Sequence, residues 1–252
     1  MRWAAALIAL VAIAACGQTA PKTRSQMESF LSSALSQTDQ GSTFSMTGNL
    51  TATGGDIPKF RSGSLDVTAK GSLAKGSLTM SYERDGAQKL KYSVISDGDS
   101  IFVKPSSGQW RTVQGDPSYE LYPPAAIELL RETIYLALSI KSNGTSFINS
   151  SLATEYVVEP NADDFEKLLG VSGISGSSEQ ALLKTATGEV DIYVKSGSNQ
   201  QVVRTVVNLG ATDPSSKEKL TFTFTADFKA AKVATINPPD SAQQVSPDQL
   251  LA

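Results

Sequence analysis

Hydrophobic residues repeat along this chain with two different periods, and each period predicts a different kind of element. From Lys22 to Thr38 the spacing is helical, which predicts an amphipathic helix. After Gly41 apolar and polar residues alternate, as they do in strands that bury one face. This alternation predicts six short strands, at about 44–48, 65–69, 78–82, 90–94, 101–103 and 110–113.

The segments between these strands have the chemistry of tight turns. Gly54-Gly55, Gly71-Ser72, Asp85-Gly86 and Asp97-Gly98 each place glycine where a hairpin requires positive φ. Consecutive strands joined by such turns pair in an antiparallel manner, so we expect a long antiparallel meander.

Helices and strands are mixed in the second half. Pro123-Pro124 opens a predicted helix that runs to about Leu138. Strands follow at 145–149 and 153–159, then a helix at about 161–169, a Gly/Ser-rich loop at 170–178 and a short helix at 179–184. Alternating apolar residues predict three longer strands at the end of the domain. The first contains Val190, Ile192 and Val194, and the second contains Val203, Val207 and Leu209. The third runs from Leu220 to Phe228.

These elements predict an α+β fold in one domain, residues 24–240, followed by a polar tail, residues 241–252. A sheet with one apolar face must cover that face. It can do so with its own helices, which gives a dry core, or with a hydrophobic ligand. The dry core is the general default.

The amino terminus is typical of an exported lipoprotein. Arg2 is followed by an apolar run that ends in Ile13-Ala14-Ala15-Cys16, which resembles a lipobox, and this run is too short to span a bilayer. We therefore predict a signal peptide at 1–15, a lipid on Cys16 and a tether at 16–23. Because Cys16 is the only cysteine, lipidation accounts for it. The alternative is an ordinary signal peptide that contains a cysteine.

Lipidation would hold the protein on the outer side of the plasma membrane, or on an outer membrane if one is present, since Gly17 is not the aspartate that signals inner-membrane retention.

The composition of the chain argues against several classes of function. The net charge of -3, without a basic cluster, argues against nucleic acid as a partner. The absence of histidine removes Ser-His-Asp and Cys-His catalysis and most zinc sites. We predict no enzyme activity, no metal and no cofactor, although hydrolysis by a carboxylate pair stays open. Asp97 and Asp99 flank Gly98 at hairpin spacing, which favours a turn over such a pair.

Two segments resemble a known family. They are Asp97-Gly98-Asp99-Ser100-Ile101-Phe102-Val103-Lys104 with Gly108-Gln109-Trp110, and the strand Leu220 to Phe228 followed by Val233, Ile236 and Pro238-Pro239. Together with the lipobox, they are similar to the LolA-like carriers, and in particular to the mycobacterial LppX/LprG group of glycolipid-carrying lipoproteins. The resemblance implies a half-open antiparallel barrel whose concave side holds acyl chains under a lid of helices.

A cavity of this kind would take its walls from the apolar strand faces. The predicted lining residues are Leu65, Val67, Leu78, Met80, Tyr82, Tyr92, Phe222 and Phe224. The predicted function is to bind a lipid or glycolipid for transport or presentation at the cell envelope. The alternative is an envelope sensor or regulatory lipoprotein that binds a transport or signalling protein and uses the same residues as a dry core.

Overall fold

The computed structural model describes residues 21–40, 44–53, 59–70, 73–83, 87–96, 100–113, 123–161, 185–212, 217, 219–230, 235–246 and 249. The predicted signal peptide, Cys16, Asp97 and Asp99 lie outside the described residues, as do the two short helices predicted between Asn161 and Lys184.

Two helices and twelve strands make up the described part of the chain. The helices are α1 (Arg24–Gln40) and α2 (Pro123–Leu136). The first six strands are β1 (Phe44–Thr53), β2 (Lys59–Lys70), β3 (Leu73–Glu83), β4 (Ala87–Ser96), β5 (Ile101–Pro105) and β6 (Arg111–Val113). The others are β7 (Ser139–Ile148), β8 (Ser151–Glu159), β9 (Thr187–Lys195), β10 (Val202–Thr212), β11 (Lys219–Ala230) and β12 (Gln243–Gln244).

All twelve strands belong to one sheet, in the order β12-β6-β5-β4-β3-β2-β1-β11-β10-β9-β8-β7. Every pair is antiparallel except β12 with β6, where the beginning of the polar tail adds a parallel strand. The amide of Gln243 donates to the carbonyl of Trp110 over 2.8 Å. The predicted α+β class with an antiparallel sheet is confirmed. The sheet is open, and β12 and β7 are its two edges.

A capping box begins α1. The Thr23 hydroxyl accepts a hydrogen bond from the amide of Gln26, and the Gln26 side chain accepts one from the amide of Thr23. Of the predicted stripe, Met27, Leu31, Ala34 and Leu35 are buried, and the ring of Phe30 lies 5.3 Å from that of Tyr156.

The other end of α1 is docked on β10. Thr38 is buried, and its hydroxyl donates to the carbonyl of Ala34 and accepts from the amide of Val202 over 2.9 Å. The Gln201 side-chain amide donates to the carbonyl of Gln37. These bonds satisfy groups that the helix end and the strand start would otherwise leave unpaired.

Helix α2 ends two residues before the predicted limit. Ile127, Leu130 and Ile134 are buried as expected, but Leu138 is exposed. The Leu138 amide donates to the carbonyl of Glu159, so the chain has already turned towards β7 at this point, and Ala137 takes the buried position instead. Neither of the two described helices has the length and hydrophobicity needed to cross a membrane.

Two strands differ from the alternation read in the sequence. Val202 pairs with Val194 and Arg204 with Tyr193, so Val203 is the extra residue of a β-bulge, and Val202 is the one that is buried. Strand β7 begins at Ser139, six residues before the prediction. It is an edge strand whose residues from Lys141 to Phe147 are exposed, and it shows no apolar alternation there.

Candidate functional site

The two faces of the sheet differ in chemistry. We call the inner face the one that carries Val190, Ile192, Val207 and Leu209, and the outer face the one that carries Asp191, Tyr193, Arg204 and Asp227. Both helices pack on the inner face of β7 to β11, and α2 also contacts β2. The buried core there contains Met27, Leu31, Ala34, Leu35, Ile127, Leu130, Ile134, Ala137, Ile140, Tyr156, Val158, Val190, Ile192, Val194, Val202, Val207, Leu209, Ala211, Ala226 and Phe228. This half of the face is therefore a packed core.

Strand register extends the inner face across the other half of the sheet. Ala226 pairs with Gly48, Gly48 with Leu65, Leu65 with Leu78 and Leu78 with Tyr92. Directly paired residues share a face, and so do residues two apart on one strand. All eight predicted lining positions consequently lie on the inner face: Leu65 and Val67 on β2, Leu78, Met80 and Tyr82 on β3, Tyr92 on β4, and Phe222 and Phe224 on β11.

These positions form adjoining groups. Leu65, Leu78 and Tyr92 are in one cross-strand row. Phe224 is opposite Val207 on one side and Leu50 on the other, and Phe222 is opposite Leu209 and Ala52. The two phenylalanine positions thus border the packed core, and the β2–β4 positions follow further across the sheet, where β2 is in contact with α2. Of the eight, Tyr92 is the one whose side chain is described, and it is buried.

Glycine occupies the inner face at the middle of the sheet. Gly48 on β1 is opposite Leu65, Gly63 on β2 is opposite Leu50 and Met80, and Gly76 on β3 is opposite Val67 and Val94. Glycine weakens a strand interior and commonly marks a place where another group approaches the backbone closely. Most inner-face positions of the packed core carry larger residues, such as Ile192 and Val207, although Gly188 lies opposite Leu209.

Buried residues continue to the far side of these glycines. Tyr92 and Val94 on β4, and Ile101 and Val103 on β5, are buried although they are not part of the core beneath the helices. The inner-face residues described on β4, β5, β8, β9 and β10 carry no charged side chain. This surface can exclude water from an apolar group, but it offers no partner to a buried ion.

Charged side chains are grouped on the outer face. Arg204 makes a bidentate ion pair with Asp227, with distances of 2.7 and 2.9 Å, and Asn149 donates to the same carboxylate over 2.8 Å. The ion pair with Arg204 lowers the pKa of Asp227. The Tyr193 hydroxyl donates to Glu155 over 3.0 Å, and burial together with this hydrogen bond raises the pKa of Tyr193 to about 12.

Asp191 is a buried carboxyl group on the same face. Burial, followed by repulsion from Glu189 and Glu155, raises its pKa to about 6. No group of three or more potential metal-ligating side chains occurs in the described part of the chain. The outer-face contacts satisfy charges within the sheet and tie the β7–β8 turn, through Asn149, to β11.

The prediction missed inner-face positions that the register adds to the candidate site. Leu50, Leu90 and Val94 share rows with the predicted residues. Alternation in the sequence could have indicated Leu90 and Val94, since both belong to the β4 pattern. Gly48, Gly63 and Gly76 could not be placed in this way, because only the pairing brings them onto one face.

Solved structures match this chain, whereas no protein-family model and no curated protein does. LprF from Mycobacterium bovis matches with a TM-score of 0.52 and 12% identity, covering 88% of this chain and 99% of its own. The lipoprotein LppX from Mycobacterium tuberculosis matches with a TM-score of 0.48 and 13% identity, covering 84% and 98%. This chain is similar in fold to LprF. The resemblance to the LppX/LprG group indicated by the sequence is thereby confirmed at the level of fold.

Proposed function

We propose that this protein is a membrane-anchored lipoprotein that binds the acyl chain of a lipid or glycolipid on its inner face, for transport or presentation at the cell envelope. The observation that carries this proposal is the run of glycines on β1, β2 and β3. They remove side-chain volume from an apolar face between the core of β7 to β11 and the buried residues of β4 and β5, in the part of the sheet where α2 contacts β2.

Hydrophobic burial alone is sufficient for such a ligand. Burying one CH₂ group contributes about 0.8 kcal/mol, so roughly ten methylenes supply about 8 kcal/mol. Before the cost of ordering the ligand, this corresponds to a dissociation constant on the order of 1 μM. An uncharged inner face is suited to an acyl chain, and a polar headgroup would remain outside it. The fold shared with LprF is consistent with this role.

The proposed anchor is a lipid on Cys16. The lipobox Ile13-Ala14-Ala15-Cys16 supports it, and so does the absence of any second cysteine with which Cys16 could form a disulfide within the chain. Two acyl chains added to one cysteine would hold the protein stably at a membrane, where a single chain is marginal. The protein would then lie on the outer side of the plasma membrane, or on an outer membrane.

We propose binding rather than catalysis. The chain contains no histidine, and its one cysteine lies in the lipobox. Two of the described outer-face carboxylates already have partners: Asp227 is bound by Arg204, and Glu155 by Tyr193. A hydrolytic activity that Asp97→Asn or Asp99→Asn abolishes would contradict this part of the proposal.

The ligand proposal is tested by mass spectrometry of the chain lacking residues 1–16, purified from its own host without detergent. Removing Cys16 ensures that any lipid found is a ligand and not the anchor. A lipid in near-stoichiometric amount is the expected result. Protein that is free of lipid, and that also fails to take up added phospholipid, would favour the alternative of a dry core in an envelope sensor with a protein partner.

A further inference from the structure

Three apolar side chains lie on the surface where α2 meets β7. Tyr135 is 75% exposed, Leu138 62% and Leu136 37%. We call these three residues the apolar corner. Two neighbouring residues point the other way: Ile134 on α2 and Ala137 just after it are buried in the core. Single exposed apolar residues are ordinary, but a group of them marks a surface that contacts a protein or a membrane.

Hydrogen bonds hold the apolar corner in place. The amide of Leu138 donates to the carbonyl of Glu159 over 2.8 Å, and the side chain of Asn161 donates to the carbonyl of Leu136. The Ser139 hydroxyl donates to the Glu159 carboxylate over 2.9 Å. The three side chains therefore project from backbone that is tied to the end of β8.

The direction of α1 brings its first turn to the same side of the molecule. Thr38, near the end of the helix, is bonded to Val202 at the start of β10, whereas Phe30 lies against Tyr156 on β8. From Thr38 back to Phe30 the helix thus crosses from β10 to β8, and it also contacts β7. Continued to Arg24, about 9 Å further, it points to the β7 edge, where the apolar corner lies.

The tether is short. Seven residues, Gly17 to Thr23, separate Cys16 from α1. A fully extended chain of that length reaches about 25 Å. A lipid on Cys16 would therefore hold the beginning of α1 within that distance of the bilayer.

We propose that the apolar corner docks on the surface of the membrane that carries the anchor, so that Tyr135 and Leu138 enter the interfacial region of the bilayer. The inference rests on the proposed lipidation of Cys16. Tyrosine is enriched at membrane interfaces because its ring is apolar and its hydroxyl group can form hydrogen bonds with water. Docking by a second contact, next to the anchor, would orient the domain on the membrane instead of leaving it free to rotate.

The tip of the β7–β8 hairpin provides a matched control. Phe147 is 78% exposed and is paired with Leu152, which is also exposed. It lies eight residues along β7 from Ser139, or about 26 Å. It is as exposed as Tyr135 but lies at the opposite end of the strand.

The test uses the full-length lipidated protein in vesicles of phosphatidylethanolamine and phosphatidylglycerol with brominated acyl chains. Tyr135→Trp and Phe147→Trp are compared with the parent, in which Trp110 supplies the background fluorescence. Bromine quenches tryptophan by contact, so we expect the fluorescence added at position 135 to be quenched at least about twofold more than that at position 147. Both replaced residues are exposed, so neither change disturbs the core.

Flotation of the vesicles separates the two ways in which the experiment could fail. A parent protein that does not float contradicts the lipid anchor, and this orientation with it. A protein that floats, but shows equal or no quenching at position 135, contradicts the docking proposal alone. Burial of position 135 in a dimer of the lipidated protein, detected by cross-linking, would contradict it too and assign the apolar corner to a second copy.

Discussion

Asp191 lies on the outer face of β9 between Val157 and Val206, and the residue is 8% exposed. Its pKa is raised to about 6, so the folded protein binds a proton more tightly than the unfolded chain does. Protonated Asp191 therefore raises the free energy of unfolding below about pH 4, and this stabilisation is lost as the pH rises through about 6.

Asp191→Asn removes the buried charge. We expect it to raise the free energy of unfolding at pH 7 by about 1–2 kcal/mol and to flatten the dependence of stability on pH between about 4 and 6. Urea denaturation at several pH values measures both effects. Asp227→Asn is expected to lower the free energy of unfolding at pH 7 instead. Arg204 lowers the pKa of Asp227, so the ionised carboxylate stabilises the fold, and this stabilisation is lost in acid. An Asp191→Asn variant less stable than the parent at pH 7 would show that the carboxylate is favourable where it lies.

The proposed anchor depends on the thiol of one residue. Cys16→Ser removes the group that accepts the lipid and should move the protein from the membrane to the soluble fraction, because the acyl chains that would anchor it are no longer attached. Fractionation of host cells, with the mass of the mature chain, measures this. A variant that stays in the membrane with an unchanged processed mass would rule out lipidation at Cys16.

At the scale of elements, one hydroxyl group links α1 to the sheet. The buried Thr38 hydroxyl accepts the hydrogen bond of the Val202 amide, so Thr38→Val leaves that amide unpaired in the core. We expect the free energy of unfolding to fall by about 1–3 kcal/mol. Thr133→Val is the control, because the Thr133 hydroxyl donates to the carbonyl of Leu129 in its own helix. Equal losses in the two variants would mean that the Val202 contact adds nothing.

Sequence patterns predicted the elements whose environment repeats regularly. The apolar stripe of α1 and the alternation in β2 to β5, β9 and β11 follow local rules, so they could be read directly. Val203 could not, because a bulge shifts the alternation by one residue and depends on the pairing with β9. Nor could β7 be read, because an edge strand exposes most of its side chains. The pairing of Gln243 with Arg111 depends on residues far apart in sequence.

The candidate site shows the same limit at the scale of the whole molecule. Alternation placed Leu65, Leu78 and Tyr92 on apolar faces, but only the register shows that three strands bring them into one row. Likewise, the sequence could not show that the part of the inner face with Gly48, Gly63 and Gly76 adjoins the packed core of β7 to β11. This arrangement depends on strand pairing and helix packing across the whole domain.

In the proposed function, the glycine-containing part of the inner face holds an acyl chain. Gly76→Leu would place a side chain on this face, opposite Val67 and Val94, whereas Ser77→Leu adds the same side chain to the outer face of the same strand. The most direct measurement is the affinity of both variants for a fluorescent fatty acid, with thermal unfolding to confirm that each is folded. We expect the affinity to be at least about tenfold weaker for Gly76→Leu and nearly unchanged for Ser77→Leu. Parent-like binding by a folded Gly76→Leu variant would contradict it.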